Sequence, residues 1–175
     1  HPAAHAGLVH RDVNPENTLP DGASGRPMLV DFGIARAIAG EPEGNEPTTG
    51  RGVALGTPAY MSPEQAAGED VDARSDLYSL GVVAYEMLTG APPFTGSHRV
   101  VISRHLTDRP TPVEKTRPDS PAALSGAVMR ALEKHPDERW QTGEALSLAL
   151  SGEAPAFPRP TTHKRRGAML AAVGA

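Results

Sequence analysis

The chain has 175 residues, of which 38% are hydrophobic and 22% charged, and a net charge of −4. A domain of this size buries about 70% of the surface its unfolded chain exposes, so a proper core is available, and no global basic field points to nucleic acid. The absence of cysteine excludes disulfide scaffolds, thiolate nucleophiles and cysteine-rich zinc sites, and the seven histidines show no HExxH-type spacing.

The first polar cluster is His10-Arg11-Asp12-Val13-Asn14-Pro15-Glu16-Asn17, in which an Asp and an Asn leave one loop just before a strand. Residues 17–19 and 27–30 flank a tip rich in Pro, Asp, Gly and Ser, which predicts a short β-hairpin. Asp31-Phe32-Gly33 follows at the strand's exit. The hairpin is therefore expected to bring Asp12, Asn17 and Asp31 to one edge, where hard oxygen ligands suit Mg²⁺ and the phosphates of a nucleotide.

Residues 39–52 are Gly, Pro, Glu, Asn and Thr with little apolar content and predict a polar loop. Residues 75–88 are apolar nearly all round, with Gly90 placed to end the run, and predict a buried central helix. Ser120-Pro121 opens an amphipathic helix carrying Leu124, Val128, Met129 and Leu132, and 144–150 predicts a last one. Residues 151–166 form a proline-rich and basic linker ending in Lys164-Arg165-Arg166, and 167–175 are mostly apolar. His1 opens the chain without a signal segment and Ala175 falls within an apolar run, so both ends read as cuts.

The order of these motifs over residues 5–150 resembles the eukaryotic-like serine/threonine protein kinases of bacteria. The resemblance implies a mainly α fold, the C-terminal lobe of a protein kinase, helical with a short β-hairpin carrying the catalytic and metal-binding loops. The lobe would occupy 1–150, a juxtamembrane linker 151–166, and the start of a transmembrane helix 167–175. Asp12 becomes the catalytic base, Asn17 and Asp31 the Mg²⁺ and ATP ligands, and Phe32 and Gly33 the packing elements that follow. Ser62-Pro63-Glu64 stands where the family has Ala-Pro-Glu, with Arg139 as the partner of Glu64. Thr57 shapes the site for a Ser or Thr acceptor, and Asp76 supports the catalytic loop from the central helix. Thr48 and Thr49, phosphorylated and paired with Arg11, would order the activation loop, through autophosphorylation in trans. As loop residues, the same threonines read equally as solubilising groups.

Asn14 departs from the pattern, since the family carries a lysine there that steadies the γ-phosphate. The Gly-rich loop, strand lysine and partner glutamate that cover ATP are absent from the sequence. The expected function is transfer of the ATP γ-phosphoryl group to protein Ser or Thr, in a cytoplasmic domain tethered to the membrane downstream, with this piece alone inactive. The alternative is a pseudokinase that keeps the fold for protein binding.

Overall fold

The computed structural model describes residues 9–31 and 57–153. Phe32, Gly33, Thr48, Thr49 and the 167–175 segment lie outside the described residues. The hairpin forms from β1 (Thr18–Pro20) and β2 (Pro27–Leu29), antiparallel in the register Thr18↔Leu29, Leu19↔Met28 and Pro20↔Pro27. Its tip is tied by Asp21, whose carboxylate accepts from the Ser24 N–H at 3.0 Å while its N–H donates to the Arg26 carbonyl. Gly25 at φ 65 supplies the left-handed residue the turn needs.

The rest is helical. A 3₁₀ turn (Pro58–Tyr60) leads into α1 (Pro63–Ala67) and the long α2 (Ala73–Thr89). Then come α3 (His98–Thr107), α4 (Val113–Thr116), α5 (Ala122–Ala131) and α6 (Gly143–Leu150). Helix α2 begins at Asp72, whose carboxylate accepts from the Arg74 N–H, and ends at Gly90, φ 84, as its sequence predicts.

Helix α2 anchors both hydrophobic clusters. Leu77 packs with Ala127, Ala131, Trp140, Leu146 and Ala149, while Tyr78, Val82 and Tyr85 pack with Val113, Val128 and Leu132. Where α2 crosses α5, a Cβ on Gly81 would lie 2.7 Å from the Cβ of Ala131. Only glycine permits that approach.

Two expectations need correction. Helix α2 is not buried all round: Leu80 and Met87 are exposed, Met87 to 78%, because the core lies on one side of the helix and its apolar residues exceed what that side can take. The cap of α5 falls on Pro121 without a side-chain hydrogen bond. The Ser120 hydroxyl instead accepts from the Ser125 hydroxyl at 3.0 Å. No helix among the described residues is long and apolar enough to cross a membrane.

Candidate active site

The loop before β1 is held from two sides. From α2, the Asp76 carboxylate accepts from the His10 N–H at 2.7 Å and the Arg11 N–H at 2.9 Å. From the hairpin, the Val30 carbonyl lies 2.9 Å from His10 Nε2, and the Val30 N–H donates to the Asn17 carbonyl at 2.8 Å. A carbonyl only accepts, so His10 carries its proton on Nε2; Nδ1 then accepts from the Asp12 N–H at 3.3 Å. The ring is a buried strut between the loop and the strand leading to Asp31, which is exposed and stands at φ 55.

Asp12 is clamped by two amides. Asn14 Nδ2 donates to its Oδ1 at 3.0 Å, and Asn17 Nδ2 donates to its Oδ2 at 2.8 Å. Both amides also reach the Asp12 carbonyl. These acceptors fix the amide orientations, leaving Asn17 Oδ1 as that side chain's oxygen for another partner. Asn14 Oδ1 accepts from the Asn17 N–H at 3.0 Å, capping the 3₁₀ turn Pro15–Asn17. Asn14 is buried and offers a neutral amide engaged at both its nitrogen and its oxygen.

Beside Asp12 a small cleft is lined by Arg11, Thr57, Tyr60 and Met61. Thr57 is exposed at its mouth. The Tyr60 hydroxyl donates to Glu86 Oε2 at 2.6 Å. Burial first, and then that carboxylate, push the phenol well above its ordinary range.

The Glu64–Arg139 pair ties α1 to the segment before α6. Arg139 is fully buried, and its Nη1 and Nη2 each donate to one Glu64 oxygen at 2.7 Å. Its other N–H groups reach the carbonyls of Arg74, Glu133 and Lys134, and the Ser75 hydroxyl donates to Glu64 Oε1. Every guanidinium donor is used. Burial pushes the Glu64 carboxyl up, but the hydrogen bonds from Arg139 and Ser75 outweigh it and hold the group below its usual range.

Two residues escaped the sequence reading. Gln65 completes a capping box with Ser62, its Oε1 accepting from the Ser62 N–H while Ser62 Oγ accepts from the Gln65 N–H; the Ser-x-x-Gln spacing was the available signal. His105 had none, being brought by the fold against Tyr78, Phe94 and the Ala59 carbonyl. Its Nε2 donates to Ala59 at 3.1 Å, so Nδ1 accepts from the Tyr78 hydroxyl at 2.9 Å. The His105 ring therefore ties α3 to the turn that follows Thr57.

Burial, and then the Lys134 charge, lower the His105 pKa to about 4. The folded value lies below the unfolded one, so the unfolded chain takes up the proton first. The His105 contribution is complete above pH about 6.5 and is lost as pH falls towards 4, on the order of 3 kcal/mol in all. Urea midpoints measured from pH 7 to 4 should show this loss. His105→Gln, which can make both bonds without titrating, should flatten it.

The sequence matches the family model of the protein kinase domain over residues 3–149. The chain belongs to the protein kinase family. Among curated proteins, the chain is 44% identical over 171 residues to the serine/threonine-protein kinase PknB of Mycolicibacterium smegmatis, covering 95% of the chain and 27% of the relative. It is 43% identical to the PknB of Mycobacterium tuberculosis, covering 94% and 26%. It is 38% identical to the serine/threonine-protein kinase pkn3 of Myxococcus xanthus, covering 96% and 32%. The chain thus spans about a quarter to a third of the length of these relatives. Among solved structures, the kinase domain of Mycobacterium tuberculosis PknI aligns with a TM-score of 0.58 at 32% identity, over 85% of this chain and 46% of that one. The mainly helical lobe with its short hairpin is therefore a kinase fold.

Proposed function

We propose that this kinase lobe supplies the base and the metal ligands of a serine/threonine protein kinase that moves the γ-phosphoryl group of ATP to a protein Ser or Thr. The observation that carries the reading is the Asp12 carboxylate held at both oxygens by Asn14 and Asn17, on a loop fixed by Asp76. A carboxylate fixed in this way is suited to accept the proton of an attacking hydroxyl. Thr57 at the cleft mouth supports a Ser or Thr acceptor.

Mg²⁺ fits the donors present. Asn17 Oδ1, left over when its Nδ2 donates to Asp12, and the exposed Asp31 carboxylate are hard oxygens. Mg²⁺ takes one or two protein oxygens and completes its shell with water and phosphate, whose developing charge it neutralises. In this proposal the ATP-covering elements come from a part of the kinase outside this sequence, and the 175-residue piece alone does not transfer phosphate. The full protein signals by phosphorylating Thr48 and Thr49 in trans as well as its substrates. Its membrane anchor begins in 167–175, behind the basic run 164–166, which keeps the kinase side in the cytoplasm.

The test is phosphate incorporation from Mg²⁺-ATP into the full-length protein and an added Ser/Thr peptide. The pseudokinase reading rests on Asn14, which lacks the lysine charge. Asn14→Lys separates the two: in an active kinase it should raise kcat, by up to about 10²-fold. It should also lower stability by about 1 kcal/mol through loss of the cap on the Asn17 N–H. Steady-state rates and thermal melts read both effects. No transfer by either protein would favour the binding module.

A further inference from the structure

Arg11, the residue before Asp12, stands at φ 67, a left-handed conformation that a long side chain holds only where its surroundings impose it. Side chains from two separate elements grip its two peptide groups. On the N-terminal side the Asp76 carboxylate of α2 accepts from the Arg11 N–H at 2.9 Å. On the C-terminal side Gln65 of α1 donates from Nε2 to the Arg11 carbonyl at 2.8 Å. That carbonyl shares a rigid plane with the Asp12 N–H, so its direction sets the direction in which Asp12 leaves the loop.

The Gln65 amide is itself immobilised. Its Oε1 accepts from the Ser62 N–H at 3.0 Å, and Ser62 is fully buried. A capping box needs only the acceptor half of this amide, and glutamate serves it equally well. The donor half is spent on a residue 54 positions away. Of the side chains that suit this cap position, glutamine alone supplies both halves.

We propose that Gln65 is a positioning residue for phosphoryl transfer, tying the peptide that orients Asp12 to the folded start of α1. Asp12 is then aimed correctly only when the segment from Thr57 to α1 is in place. The inference deepens the kinase reading above and rests on it for its rate effect, but the tie itself is a property of the fold.

The experiment compares Gln65→Glu, Gln65→Leu and Ser62→Ala in the full-length kinase that carries this chain. Gln65→Glu keeps the acceptor for the Ser62 N–H but turns an anionic oxygen on the Arg11 carbonyl. Ser62→Ala removes the hydroxyl of the cap and leaves the tie to Arg11. Both Gln65 variants should lose kcat by roughly tenfold or more while KM for Mg²⁺-ATP stays within about twofold, as expected for misplacement rather than weaker binding. Ser62→Ala should keep kcat within about twofold although its melting temperature falls. Amide exchange of a peptide covering residues 9–14 should rise in the Gln65 variants and not in Ser62→Ala. Losses of kcat that merely follow melting temperature across the three variants would overturn the proposal, as would unchanged exchange at 9–14 in Gln65→Glu. A wild-type protein that transfers no phosphate would remove the kinase reading, and the exchange comparison would then decide by itself whether Gln65 holds the loop.

Discussion

Arg139→Met should destabilise the lobe by about 3–5 kcal/mol, close to the whole stability of many domains of this size. Methionine fills much of the space but leaves the Glu64 carboxylate buried with the Ser75 hydroxyl as its remaining side-chain donor. The carbonyls of Arg74, Glu133 and Lys134 lose their shared donor as well. The sign of the pH dependence should reverse with it. In the wild type the folded Glu64 carboxyl titrates below its ordinary value, so its contribution is present above the usual carboxylate range and lost as pH falls through the folded value. In the variant burial is opposed only by the Ser75 hydroxyl and the Glu64 N–H and should raise the folded value, so stability is highest in acid and lost as pH rises through it. The double variant Glu64→Gln, Arg139→Met should recover part of the loss, and a double-mutant cycle from urea unfolding at pH 7 and pH 4.5 measures the coupling. A single variant within about 1 kcal/mol of wild type would show that the pair holds little of the fold.

Much of this scaffold is legible in the sequence because local chemistry and tertiary role coincide. The hairpin follows from two short apolar runs around a Pro, Asp, Gly and Ser tip, and α2 ends at Gly90 because a left-handed cap suits glycine. Helices α3 and α4 are not legible. Ser97 and Pro112 precede them without side-chain cap bonds, α4 is a single turn, and α3 buries only Val101 and His105. Tertiary contacts, not a local period, hold such elements.

The site divides in the same way. Residue types and order single out Asp12 and Asn17, and the resemblance to bacterial kinases adds Glu64, Asp76 and Arg139, but a linear reading takes Asn14 only as an absent charge. Its amide does something else, donating to Asp12 and capping the next turn at once. His105 and the Gln65 tie are further from reach, because their partners lie 46 and 54 residues away. Only the folded chain brings Ala59 and Arg11 to them.

On the kinase reading proposed above, Asp12→Asn in the full-length protein should lower phosphoryl transfer by about 10²–10⁴-fold, the range for loss of a positioned general base. The substitution keeps size and shape but reverses one hydrogen bond. Both carboxylate oxygens accept from amide donors, so an asparagine here must turn its own NH₂ group towards Asn14 or Asn17 and set donor against donor. The variant therefore loses the proton acceptor and loosens the clamp together, and the two losses separate by measurement. Affinity for Mg²⁺-ATP should change by only a few fold if the base is the main loss, because Asn17 and Asp31 keep their oxygens. If the clamp dominates, nucleotide affinity falls alongside kcat, as Asn17 is released from its partner. Asn14→Ala supplies the control, since it removes one donor and the cap while leaving the base intact, and it should cost much less in kcat than Asp12→Asn. Phosphate incorporation into an added peptide and into Thr48 and Thr49 of the full-length protein reads the rate. Equal labelling of wild type and Asp12→Asn would rule out Asp12 as the base, and the two-amide clamp would then be no more than a turn that holds Asn17 beside β1.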